Sequence, residues 1–221
     1  MWKDRPALRA ISLWIKIPYT LFVAVLVPVY WVRYGPHNFL WFSDVALFMT
    51  LAALWLESRF LASMAACGTL LLDTVWNFIF FPKLLIGAGP GGMVGYMFDP
   101  EISIYVRALS LFHVGLPVIQ LWALHKLGYD TRAWKYQAAL GCILLLLAYR
   151  FSDVEGNVNW VFGMIDAPQT WMPPPVYLAL LMILYPAGVC FPTHLILKKF
   201  FHDQKLLDTR FRGYDGGEAT D

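Results

Sequence analysis

Charge is scarce in this chain. Only 14% of its 221 residues are Asp, Glu, Lys or Arg, against about 25% in soluble domains. A sequence so poor in charge cannot clothe a soluble surface. The net charge of +2 is too small to argue for nucleic acid as a partner. Cysteine is also rare. Cys67, Cys142 and Cys190 lie far apart, each inside an apolar run. That pattern excludes a disulfide framework and a zinc motif, and we read the three as small packing residues. Neither HxxxH nor HExxH spacing occurs, so no metal site is expected.

What the chain has instead is apolar surface. Hydrophobic residues make up 59% of it, with ten Trp, eleven Tyr and sixteen Phe. The mean hydropathy is +0.55. Many of the tryptophans sit at the ends of apolar runs, where amphipathic rings meet a membrane surface. A helix crossing the hydrocarbon core needs about 20 mostly apolar residues. Six runs qualify, at 14–32, 38–56, 59–81, 103–125, 134–151 and 175–199. The expected fold is an all-α integral membrane protein, a six-transmembrane-helix bundle. Residues 1–201 would form one domain, and 202–221 a polar, disordered cytoplasmic tail. The second and third runs meet in a tight hairpin at Glu57-Ser58-Arg59.

The first run has a basic flank (Lys3, Arg5, Arg9, Lys16), but Trp31-Val32-Arg33 follows it rather than a small-residue cleavage site. It reads as an uncleaved anchor. Orientation follows from the distribution of Lys and Arg, which accumulate in cytoplasmic loops. With six spans, one side holds Lys3, Arg5, Arg9, Lys16, Arg59, Lys126, Arg132, Lys135, Lys198, Lys199, Lys205, Arg210 and Arg212, thirteen of the seventeen basic residues. Both termini are therefore expected in the cytoplasm, with the basic tail lying on anionic headgroups.

Residues 84–98, LLIGAGPGGMVGYMF, contain Gly87, Gly89 and Gly92 in GxGxxG spacing. A dinucleotide fingerprint needs a strand before it and a helix after it. Here a membrane span precedes it, and Asp99-Pro100 cuts short whatever follows. We expect a glycine-rich connection on the non-cytoplasmic side, a lid beside a polar cluster, and no dinucleotide or other cofactor.

That cluster comes from ionisable residues inside the spans, which are costly there and mark function or a packing network. The second run carries Ser43 and Asp44, the third Asp73 and Asn77, and the fourth Arg107, Ser110 and His113, with Gln120 deeper. Asp73 and Asn77, four apart, share a face. At about 1.5 Å per residue, Asp44, Asp73 and His113 lie roughly 9, 12 and 15 Å from the outer ends of their spans. One outward-open pocket explains all three. The loop through Asn157-Val158-Asn159-Trp160 to Pro173 lies on the same side as a cover. His37 reads as a surface residue, and His125, His194 and His202 lie toward the cytoplasm.

Several readings of the cluster compete. In one, Ser43 is a nucleophile, His113 its general base, and Asp44 or Asp73 orients the imidazole. Asn77, Arg107 and Asn159 would then bind substrate, Asn77 or Arg107 also steadying an oxyanion or gripping a lipid phosphate. In another, Asp44 and Asp73 bind a small ligand or relay protons. The absence of clearly broken paired half-helices weighs against a secondary transporter. In a third, Arg107 pairs with Asp44 or Asp73, and the network only holds a membrane assembly partner together.

A resemblance bears on the choice. Leu40-Trp41-Phe42-Ser43-Asp44 resembles the Leu-His-Leu-Cys-Asp segment of YwaF-like multi-spanning proteins, and Asn159-Trp160-Val161-Phe162 resembles their Asn-Tyr-hydrophobic stretch. His113 falls where that family has a membrane histidine. The family is similar to a transmembrane lipid acyltransferase and, more remotely, to androgen-induced membrane threonine hydrolases. The resemblance implies a nucleophile at Ser43, a base at His113 and membrane lipids as partners. Ser43 stands in place of the family's cysteine, and Trp41 in place of its nearby histidine. The stretches GPHNFLWFSD and NWVFG are also similar to bacterial membrane proteins of unknown function. That likeness implies a bacterial cytoplasmic membrane and names no activity or protein partner.

Overall fold

A computed structural model of the chain describes residues 11–87, 89, 92–164 and 168–201. The proposed tail at 202–221, with His202 and its basic residues, lies outside them, as do Lys3, Arg5 and Arg9. Among the described residues the secondary structure is helical, without strands. Four helical stretches are long and apolar enough to cross a membrane: Leu13–Tyr34, Arg59–Ile86, Ile104–Leu127 and Pro174–Phe201.

Local chemistry sets the helix ends. Helix α1 (Leu13–Tyr34) starts where the Ser12 hydroxyl accepts the Trp14 N–H, and it stops at Gly35, whose φ of 80° suits glycine. A short 3₁₀ turn, Pro36–Leu40, leads into α2 (Phe42–Leu56). Glu57 then takes the left-handed conformation, and the Ser58 hydroxyl accepts the Leu61 N–H to open α3 (Arg59–Ile86). The hairpin expected at Glu57-Ser58-Arg59 is thus one left-handed residue followed by one N-cap.

Helix α3 runs five residues beyond the expected boundary at 81, through Pro82, and ends at left-handed Gly87. The fourth apolar run is not one continuous helix. It divides into α4 (Ile104–Leu109) and α5 (Phe112–Leu127), joined by a tight turn at Ser110 and Leu111. The sequence predicts one unbroken span over 103–125, and the structure has a broken one. Helix α6 (Ala133–Phe151) follows. Helix α7 (Pro174–Tyr185) passes into a π-helical stretch, Pro186–Cys190, and continues to Phe201. Pro186 has no N–H to give to the ladder, and the wider turn absorbs the mismatch.

The rods alternate in direction. One end of the bundle gathers the start of α1, the α2–α3 hairpin and the α5–α6 turn. There Lys16 bonds Glu57 at 2.8 Å, and the Asp130 N–H donates to Ser63 Oγ at 2.8 Å. The opposite end gathers the close of α1, the start of α2, the α4–α5 break and the loop after α6.

Helix α3 is the central rod. It buries the small residues Ala62, Ser63, Ala65, Ala66, Cys67, Gly68 and Thr69 around Met64. Small side chains allow neighbouring backbones to approach closely, which matters where lipid removes the hydrophobic drive between helices. At Gly68 the carbonyl accepts the Tyr185 hydroxyl at 3.3 Å, and an added methyl would strike the Gln137 amide. Gly141 on α6 likewise leaves room for the Tyr185 ring. The three cysteines are unpaired thiols. The outer surface is apolar, with Trp14, Val32, Leu85 and Ile104 widely exposed.

Candidate functional site

A cavity of about 410 Å³ opens at the end away from the Lys16–Glu57 pair, a volume within the usual range for small-ligand pockets. Its wall contains Ser43, Asp44, Asp73, His113 and Asn159. Five of the seven candidate site residues thus share one space. The other two do not line it. Arg107, on α4 before the helix break, donates from Nη1 to the Met97 carbonyl at 3.1 Å and faces a separate apolar groove. It forms no ion pair with Asp44 or Asp73 among the described residues. Asn77 donates from Nδ2 to the Asp73 carbonyl at 2.7 Å and to the His113 carbonyl at 2.8 Å. It ties α3 to α5 behind the cavity.

The helix break makes the polar cluster possible. Asp73 extends from α3, and His113 stands on the first turn of α5, just past the break. His113 Nδ1 lies 2.8 Å from Asp73 Oδ1. The imidazole is stacked between Trp76, at a ring-centroid distance of 4.9 Å, and Phe112, at 4.2 Å. Two flat aromatic faces and one carboxylate fix its plane and rotation. A carboxylate on Nδ1 favours the tautomer with its proton there, leaving Nε2 as an acceptor. The His113 side chain keeps 14% of its surface accessible, whereas that of Asp73 keeps 2%.

Ser43 and Asp44 occupy the first turn of α2. This start is held by Asn159, from the loop after α6. Its Oδ1 accepts the Phe42 N–H at 2.9 Å, and its Nδ2 donates to the Leu40 carbonyl at 2.8 Å. Asn159 is 2% exposed and adopts a left-handed φ of 54°. It therefore acts as an N-cap supplied from another element. The Val45 N–H bonds the Trp41 carbonyl at 3.0 Å. The N–H groups of Ser43 and Asp44 have no partner among the described residues. A helix start with free N–H groups favours negative charge.

Among the described residues two buried carboxylate oxygens have no hydrogen bond, Asp44 Oδ1 and Asp73 Oδ2. Asp44 as a residue is 3% exposed. Buried polar atoms are normally bonded, so such exceptions ask for an explanation.

Three tyrosines of the wall have no place among the candidates named from the sequence. Tyr30, from the last turn of α1, bonds Ser110 through its hydroxyl at 2.6 Å, and Tyr34 and Tyr96 also face the cavity. The signal for the first pair is the four-residue spacing of Tyr30 and Tyr34, which puts both on one helix face. His37, read as a surface residue, is half-buried in the cavity wall. Gly92 and Met93, from the glycine-rich stretch, line it too. That stretch follows a 28-residue helix and forms a 3₁₀ turn, Gly92–Phe98, which is not the strand-and-helix setting of a dinucleotide site. At the other end of the bundle, His194 Nδ1 meets the Tyr129 hydroxyl at 2.7 Å.

No family model matches this chain, and no curated protein or solved structure is significantly similar to it.

Proposed function

We propose that the protein is a lipid-directed hydrolase or acyltransferase in which Ser43, His113 and Asp73 act together. The observation that carries this reading is the Asp73–His113 bond of 2.8 Å on a cavity that Ser43 also lines. The resemblance to YwaF-like and lipid acyltransferase sequences points the same way. Ser43 Oγ attacks an ester carbonyl while its proton passes to His113 Nε2. Asp73 holds the imidazole in the required tautomer and stabilises the imidazolium that forms. The negative charge on the carbonyl oxygen faces the free N–H groups of Ser43 and Asp44, since Asn77 and Arg107 lie outside the cavity wall, engaged by backbone carbonyls. Collapse expels the alcohol, which takes the proton back from His113. Water or a second alcohol then attacks the acyl-Ser43 ester, with His113 again as base.

In this proposal the chain forms one bundle crossing a bacterial cytoplasmic membrane six times, with both ends in the cytoplasm. The excess of basic residues at the Lys16–Glu57 end supports that orientation, and the cavity then opens outward, toward the outer leaflet. Helix α2 has only 15 residues, so its crossing would draw on the preceding 3₁₀ turn.

The test is labelling by a serine-directed fluorophosphonate in lipid nanodiscs, with the modified residue located by mass spectrometry. Label on Ser43 in wild type, none there in Ser43→Ala, and a rate reduced roughly 10²–10⁴-fold in His113→Ala are expected. Equal labelling of wild type and Ser43→Ala would overturn the proposal.

A further inference from the structure

The cavity wall contains three acidic residues, Asp44, Asp73 and Glu155, and neither Lys nor Arg among the described residues. Asp73 is engaged by His113. Asp44 is not engaged: its Oδ1 is buried without a partner, and the residue is 3% exposed. Around these groups stand aromatic rings, among them Tyr30, Tyr34, Trp41, Trp76, Tyr96 and Trp160. Trp41 and Trp160 meet edge to face at a centroid distance of 5.3 Å beside the mouth, and Tyr30 and Tyr34 do so at 5.4 Å. Glu155 is exposed at the rim.

This chemistry selects one class of ligand. A buried carboxylate without a counter-ion favours a cation, and aromatic faces attract soft organic cations through their quadrupoles. A strongly hydrated metal ion would gain little from such rings, and the described residues hold no cluster of three or more His, Cys, Asp or Glu placed to bind one. We infer that the cavity binds an organic cation, an ammonium or quaternary ammonium group such as a choline-type headgroup, with Asp44 as its counter-ion. The cation enters past Glu155 and Trp160, is desolvated among the rings, and stops at Asp44. The inference concerns the cavity of the proposed reaction but does not require Ser43 to react.

The experiment is calorimetric titration of the protein in nanodiscs with choline, with its neutral isostere 3,3-dimethylbutan-1-ol, and with sodium chloride. Choline should bind saturably, roughly tenfold or more tightly than the isostere. Asp44→Asn should lose at least that factor, while Ser43→Ala should retain choline affinity. Choline binding that survives Ser43→Ala thus stands even if fluorophosphonate labelling fails. Equal binding of choline and isostere, heat from sodium with none from choline, or full choline affinity in Asp44→Asn would each overturn the inference. Should Asp44→Asn fail to fold, the choline-to-isostere ratio of the wild type decides alone.

Discussion

The two ends of the bundle treat charge in opposite ways. At one end each described acid has a basic partner. Lys16 reaches Glu57 at 2.8 Å, and Arg132 reaches Asp130 at 3.0 Å with Arg59 at 3.7 Å. At the other end Asp73 has His113, Asp44 has no partner among the described residues, and Asp44 Oδ1 and Asp73 Oδ2 are buried without a hydrogen bond there. The first arrangement joins helix ends. The second leaves free energy unspent inside the bundle, as expected of groups held ready for a ligand. The cavity end is nonetheless not loose. Its backbone is tied by Asn159, and by Asn157, which accepts the Phe162 N–H and donates to the Gly163 carbonyl. The two asparagines secure the loop and the start of α2, whereas the carboxylates are left with unbonded oxygens.

The contrast can be broken at the backbone first. Asn159→Ala removes the cap on α2 and strands a buried N–H and carbonyl. A loss of about 1–3 kcal/mol is expected, measured as denaturant unfolding in mixed micelles. Fluorophosphonate labelling of Ser43 should fall with it, because the helix start that carries Ser43 loosens. Unchanged stability and labelling would show that Asn159 does not hold the site.

A smaller effect is expected at the paired end. Glu57 accepts hydrogen bonds from the Lys16 ammonium and the Ile11 N–H. The Lys16 hydrogen bond, chiefly, lowers its carboxyl below the usual glutamate range. Such a bridge is worth about 0.2–1 kcal/mol when partly exposed, so Glu57→Gln should cost no more than that at neutral pH. A lowered carboxyl contributes stability above the unfolded-state value, near 4.3, and loses it as pH falls through the folded-state value. The gap in stability between wild type and Glu57→Gln should therefore close on acidification. A gap that persists in acid would place the effect of Gln elsewhere.

Much of this was legible in the sequence, though unevenly. Apolar runs and tryptophan borders locate helices because lipid demands length and low charge, and the four membrane-length helical stretches overlap four of the six apolar runs. Asp73 and His113 meet as their depths suggested. The break at Ser110 and Leu111 was not legible, since no glycine or proline marks it; Pro117 lies further on, inside α5. That break separates Arg107 from the cluster, and the Met97 carbonyl captures its guanidinium. Spacing alone could not decide between a carboxylate and a carbonyl as its partner. The capping role of Asn159 was not legible either, because its partners, Leu40 and Phe42, lie more than a hundred residues away in sequence. The tyrosines of the wall were hidden among aromatics that equally suit packing or a membrane border.

The central claim is that the acids of the cavity serve a ligand rather than the fold. Thermal unfolding of Asp44→Asn beside wild type, in nanodiscs without added ligand, tests it most directly. A buried carboxylate oxygen without a partner costs stability, and sites shaped for function often carry such a cost. The midpoint of Asp44→Asn should equal or exceed that of wild type. A midpoint several degrees lower would contradict it and make Asp44 part of the structural network that holds the bundle together.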